Sequence, residues 1–214
     1  MILLDCTLVS DGSSDRALIP ILGWLLQVHG AYPTQRIEWY DPSRFRHPPK
    51  SLRERIDHAL ENYPCDLLFI HRDAEDVALS RRVAEVRKSL GGDSFGEDRR
   101  VPAVLVIPVR MMEAWLFFDE AGIRRAAGCP RGNTPLDLPK LTSCEDLADP
   151  KKRLHRCLRV ATEKRGRHLK KFNVDSAIHR VAELIPDFSL LRRLPAFQRL
   201  ESELRDVLSA QHWV

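Results

Sequence analysis

The chain has 214 residues, of which 43% are hydrophobic and 30% charged. That length allows one large domain, or one domain with a helical extension, and the composition excludes intrinsic disorder. A net charge of +4 does not by itself identify a nucleic-acid binder. No apolar run reaches the roughly 18–20 residues of a membrane span, and the longest, Ala17–Val28, is broken by Pro20 and Gly23.

Ile2–Ser10 is apolar and partly β-branched, and it ends in the turn cluster Asp11-Gly12-Ser13-Ser14-Asp15. Leu18, Ile21, Leu22, Leu25 and Leu26 then recur at helical spacing, predicting a helix from Arg16 to about His29. The unit repeats: a short strand over Arg36–Tyr40, an amphipathic helix over Ser51–Asn62, a buried strand over Asp66–His71 and a helix over Val77–Ser89. A Gly/Asp-rich loop, Gly91–Arg100, leads to a further buried strand, Val101–Val109, and a helix over Glu113–Ala127. Strands that are apolar throughout and alternate with helices predict a largely parallel sheet covered on both faces.

After Gly128 the composition changes. Cys129–Pro139 reads as a loop, and Pro150–Arg165, Asp175–Leu184 and Phe197–Ser209 read as helices. The expected organisation is an α/β domain over 1–128 and a helical extension over 129–214, either separate or packed on the same core. The five cysteines form no CxxC pair, which leaves a structural zinc site without its spacing. Their odd number, with no signal peptide, is expected of reduced thiols in a cytoplasm.

In parallel sheets, ligands gather beyond the carboxyl ends of the strands. Asp11 follows the first strand and Asp73 and Glu75 follow the third, so the fold brings residues some sixty positions apart into one crevice. On an extended backbone Asp73 and Glu75 point the same way and can reach one ion. Mg²⁺ and Mn²⁺ favour such oxygen ligands, with water and phosphate oxygens completing the shell. The same residues also suit plainer roles. Asp11 or Ser14 can cap a helix, and Asp73, Glu75, Asp76 and Glu113 can complement helix dipoles. His71 can orient a water or simply complete a strand end, and Trp115 reads as core. A phosphate-binding loop of the GxxxxGK[ST] type is absent from the sequence.

The most basic segment, Lys151–Lys171, carries ten lysines and arginines against the single acid Glu163. Phosphate attraction and a solvated helix face are both open readings. No Phe or Tyr is interleaved there, which argues against a single-strand stacking surface.

Leu8-Val9-Ser10-Asp11-Gly12-Ser13-Ser14-Asp15 resembles the opening motif of TOPRIM domains, a strand ending in an acid-Gly step with a second acid four positions on. Ile70-His71-Arg72-Asp73-Ala74-Glu75 resembles the second, usually Asp-x-Asp. Pro108–Leu116 and Ala196–Leu200 are similar to segments of small bacterial TOPRIM-like proteins related to the OLD-type nucleases. The resemblance implies a TOPRIM-like fold and Mg²⁺- or Mn²⁺-dependent hydrolysis of phosphodiester bonds in DNA or RNA. It implies Asp11 as general acid/base or ligand, Asp73 and Glu75 as the metal pair, Asp15 as a second-metal ligand and Glu113 as a further carboxylate. It also implies a setting in phage or mobile-element defence, sometimes beside an ATPase partner. Lys151, Lys152, Arg153, Lys170 and Lys171 are the residues expected to hold the backbone. This chain departs from the pattern in having Asp for the first Glu and Glu for the second Asp. Those swaps motivate the alternative of an inactive TOPRIM-like binding or regulatory subunit. A third reading is a primase-like nucleotidyl transferase using the same acids.

Overall fold

A computed structural model describes residues 3–30, 34–91 and 101–213. Strands β1 (Leu3–Val9), β2 (Thr34–Trp39), β3 (Leu67–His71) and β4 (Ala103–Val106) form one parallel sheet in the order β2-β1-β3-β4. Between and after them run α1 (Ile19–Val28), α2 (Leu52–Asn62), α3 (Leu79–Leu90), α4 (Glu120–Ala126), α5 (Pro150–Ala161), α6 (Gly166–Lys170), α7 (Val174–Leu184) and α8 (Pro195–Ala210). The fold is therefore α/β, a parallel sheet flanked by helices with a helical C-terminal part, as expected of a TOPRIM-like, Rossmann-type arrangement.

Every side chain of β3 is buried, and the pleat divides them. Leu67 and Phe69 join Leu4, Leu8, Val104 and Val106 in one apolar cluster, against α1, α4, α5, α7 and α8. Leu68 and Ile70 join Val9 and Leu105 in a second cluster, against Ile56 and Ala59 of α2 and Val86 and Leu90 of α3. The first cluster runs continuously from Leu4 to Leu208, so the residues after 128 share the core of those before. Trp115 is fully buried in it, edge-on to Phe197 of α8 with ring centroids 5.3 Å apart.

Among the elements that differ from expectation, three have a local reason. The helix expected from Arg16 starts as a 3-10 turn over Ser13–Leu18 and becomes α-helical at Ile19. Pro20 has no N–H to return to the Arg16 carbonyl, so the preceding turn is free to tighten. The strand expected over Val101–Val109 shrinks to Ala103–Val106, bracketed by Pro102 and Pro108, neither of which can donate to a ladder. The helix expected over Glu113–Ala127 is split into a 3-10 turn, Met112–Leu116, and α4. The side chain of Asp119 restarts it by accepting from the Gly122 N–H at 2.9 Å. Beyond Gly91, the expected Gly/Asp-rich loop lies outside the described residues as far as Arg100.

Candidate active site

The chain leaves β1 for β2 on one side, while β3 pairs on the other. Loops after adjacent strands that diverge in this way leave a crevice at the carboxyl edge of the sheet. Asp15 enters it from the 3-10 turn after β1. Its Oδ2 accepts from the Gly12 N–H at 2.9 Å, and the Ser14 hydroxyl donates to Oδ1 at 3.2 Å. Capping of this turn thus falls to Asp15, and its carboxylate is buried while doing so.

Asp11 has a different role. Its Oδ1 receives Nη1 of Arg55, on α2, at 2.6 Å, and its Oδ2 receives Nε of Arg72 at 2.7 Å. Nothing in the local pattern of the sequence singles out Arg55 or Arg72. Arg72 sits next to an expected ligand, but Arg55 meets Asp11 only through the packing of α2 on the sheet.

His71 ends β3 and is buried. Its Nδ1 lies 2.9 Å from the Val106 carbonyl, an acceptor only, so Nδ1 bears a proton and Nε2 points the other way. Nε2 stands 3.5 Å from Asp73 Oδ1 and 3.9 Å from Asp15 Oδ1. The Met112 N–H donates to Asp73 Oδ1 at 2.9 Å, which ties the end of β3 to the turn after β4. That turn carries Glu113, itself buried. Burial, reinforced by Asp15 and Glu75, pushes Asp73 up to about 6 against the opposing pull of His71 and the Met112 N–H. Burial likewise lifts Glu113 to about 7, with Asp73 and Asp15 adding to it and its backbone hydrogen bond and Lys151 opposing it. Mutual influence of this kind places Asp15, Asp73, Glu113 and His71 in one electrostatic neighbourhood.

Glu75 departs from the extended pairing expected with Asp73. Its φ is +53°, and its N–H donates to the Arg110 carbonyl at 2.8 Å in an isolated antiparallel bridge. Its side chain is mostly exposed at the rim, 3.4 Å from Nη2 of Arg82. Asp76 pairs with Arg110.

A groove of about 600 Å³ opens beside this crevice, lined by Lys151, Lys152, His155, Arg156 and Arg159 of α5, with Met111, Val160 and the single acid Asp149 also in its wall. Arg159 and Val160 are shared with a second recess of about 500 Å³ that reaches Lys164 and Arg165. Of the basic residues expected to hold a backbone, Lys151 and Lys152 line the groove. Arg153 instead binds Asp137, with Nη2 2.6 Å from Oδ2. Lys170 and Lys171 stand exposed at the end of α6.

Among the described residues, no group of three or more His, Cys, Asp and Glu side chains is arranged to hold a metal ion. Mg²⁺ commonly takes one or two carboxylates, with water and phosphate filling the other positions. Asp73 and Asp15 meet that requirement in chemistry and in number, and the negative charge around them is opposed by His71 at Asp73 and by Lys151 at Glu113. Comparison of the chain with protein-family models, curated proteins and solved structures finds no match in any of the three. No helix among the described residues is long and apolar enough to cross a membrane.

Proposed function

We propose that this protein is a metal-dependent nuclease that hydrolyses phosphodiester bonds of DNA or RNA. The observation that carries the reading is the meeting of Asp15, Asp73, Glu113 and His71 at the carboxyl edge of β1, β3 and β4, beside a groove walled by the cations of α5. Asp73 and Asp15 would hold Mg²⁺ or Mn²⁺, while Asp11 is engaged by Arg55 and Arg72 and Glu75 stays at the rim beside Arg82. When bound, the ion would lower the pKa of a coordinated water and offset charge developing on the phosphate. Glu113, raised to about 7, exchanges a proton readily near neutrality. It can take one from the attacking water or supply one to the leaving oxygen. His71, anchored by its Nδ1–H to Val106, holds Nε2 toward Asp73 and limits how that carboxylate turns. Lys151, Lys152, Arg156 and Arg159 would attract the strand. The resemblance to TOPRIM-like proteins supports a role in phage or mobile-element defence, with any ATPase supplied by a partner, and the unpaired cysteines support a reducing, cytoplasmic setting.

The test is incubation with Mg²⁺ or Mn²⁺ and supercoiled DNA, linear DNA or single-stranded RNA, alongside Asp73→Ala. The expected result is metal-dependent cleavage that the variant loses. A second reading, an inactive TOPRIM-like binding or regulatory subunit, draws on the ion pairs that hold Asp11 to Arg55 and Arg72 and Glu75 to Arg82. Metal-induced stabilisation with no cleavage of any of the three substrates would select it.

A further inference from the structure

Two guanidinium groups from separate elements converge on the carboxylate of Asp11, and each takes a different oxygen, at 2.6 and 2.7 Å. The arginine side chains are 21% and 27% exposed, whereas that of Asp11 is 45% exposed. The cations therefore belong to the wall and the carboxylate sits outermost. The three groups together carry one net positive charge. An open recess of about 620 Å³, lined in part by Arg46, His47 and Lys50, also includes Arg55, so anion attraction extends along this flank. A guanidinium is planar, remains charged and presents parallel donors, which suit the oxygens of a phosphate as well as those of a carboxylate.

We propose that Arg55 and Arg72 form a phosphate-binding fork for a nucleic-acid backbone, and that Asp11 occupies this fork until a phosphodiester displaces it. The identity of the ligand rests on the nuclease reading above. The placement adds to that reading. Helix α2 packs on one face of the sheet and α5 on the other. A strand gripped by the fork and by the α5 groove passes over the carboxyl ends, where Asp73 stands, and Asp11 is released as the substrate arrives.

The experiment is fluorescence anisotropy of the full chain with a labelled oligothymidylate across a salt series, in EDTA so that binding is read apart from cleavage. Arg55→Ala and Arg72→Ala should each weaken binding and flatten the slope of log affinity against log salt by about 0.7. Asp11→Asn, which keeps the shape and removes the competing charge, should tighten binding by about two- to fivefold, the size of a partly exposed ion pair. Arg72→Lys keeps the charge and loses the planar fork, so it should still bind more weakly than wild type even if an alanine variant misfolds. Arginine variants that bind with unchanged affinity and slope would overturn the fork. An Asp11→Asn protein that binds as weakly as the arginine variants would overturn displacement. Saturation by inorganic phosphate, with oligonucleotide affinity indifferent to all four substitutions, would overturn the nucleic-acid assignment in favour of a free-phosphate site. Failure of metal-dependent hydrolysis would leave these binding results standing.

Discussion

A carboxyl group that burial has raised above its ordinary range costs the folded state stability once it must ionise. Asp73 moves from 3.8 to about 6 and Glu113 from 4.5 to about 7. The folded chain therefore binds more protons at these two sites than the unfolded chain does across that interval. Their contribution is most favourable below about pH 4 and is lost as pH rises through 6 and 7, with a penalty on the order of 3 kcal/mol for each group above that. Urea denaturation near pH 8 should accordingly find Asp73→Asn more stable than wild type, with the difference gone near pH 4. An Asp73→Asn protein less stable at both pH values would make this carboxylate a structural acceptor for the Met112 N–H. Mg²⁺ or Mn²⁺ should raise the melting temperature of wild type near pH 8 through preferential binding to the folded state, and should not raise that of Asp73→Asn. Equal stabilisation of both would move the ion away from Asp73.

At the scale of elements, α2 and α5 connect the fold to the site in different ways. Helix α2 is fixed at its start by a reciprocal cap: the Ser51 hydroxyl accepts from the Glu54 N–H at 3.2 Å, and the Glu54 carboxylate accepts from the Ser51 N–H at 3.0 Å. Ser51→Ala should cost about 1 kcal/mol in chemical denaturation. It should also loosen the turn that carries Arg55. A loss below a few tenths of a kcal/mol would show the start of α2 to be held by Ile56 and Ala59 in the core instead. On α5 the cations divide by direction. Arg156→Ala with Arg159→Ala should weaken nucleic-acid binding and reduce its salt dependence, while Arg153→Ala, which releases Asp137, should act mainly on stability. The reverse ranking in a binding assay would place the interface on the Asp137 side of the helix.

For the molecule as a whole, the decisive feature is that the residues after 128 complete the core of the residues before. Leu154, Leu158, Phe197, Leu200 and Leu204 lie in the same cluster as Leu8 and Phe69. A chain cut after Gly128 would expose that face and should show no cooperative unfolding. A cooperative transition in the fragment would mean that the sheet is self-sufficient. In the full chain, Leu200→Ala should cost about 2–5 kcal/mol. The sheet was legible in the sequence because a strand covered on both faces must be apolar at every position, as Leu67–Ile70 is. The carboxyl-edge position of Asp11, Asp73 and Glu75 followed from that alternation of strand and helix, whereas Asp15 and Glu113 were drawn into the site only by the resemblance to TOPRIM domains. What the helices after 128 pack against was not legible, since a 3.6-residue period gives an apolar face and not its partner. Nor were the two roles that depend on distant packing: the Arg55 side chain that takes Asp11, and the Val106 carbonyl that sets the tautomer of His71. The left-handed backbone at Glu75, which undoes its extended pairing with Asp73, has no signature in a residue type that seldom adopts it.

Glu75 and Arg110 face each other across one backbone bridge, and both have positive φ, +53° and +64°. For side-chain-bearing residues that conformation costs roughly 1 kcal/mol apiece, and glycine avoids the cost. A laboratory selection for heat resistance would be drawn to these two positions and would return glycine or asparagine there. In doing so it would discard the carboxylate that reaches Arg82 and the guanidinium that reaches Asp76. The rim of this crevice is thus a place where durability and chemistry compete for the same two residues.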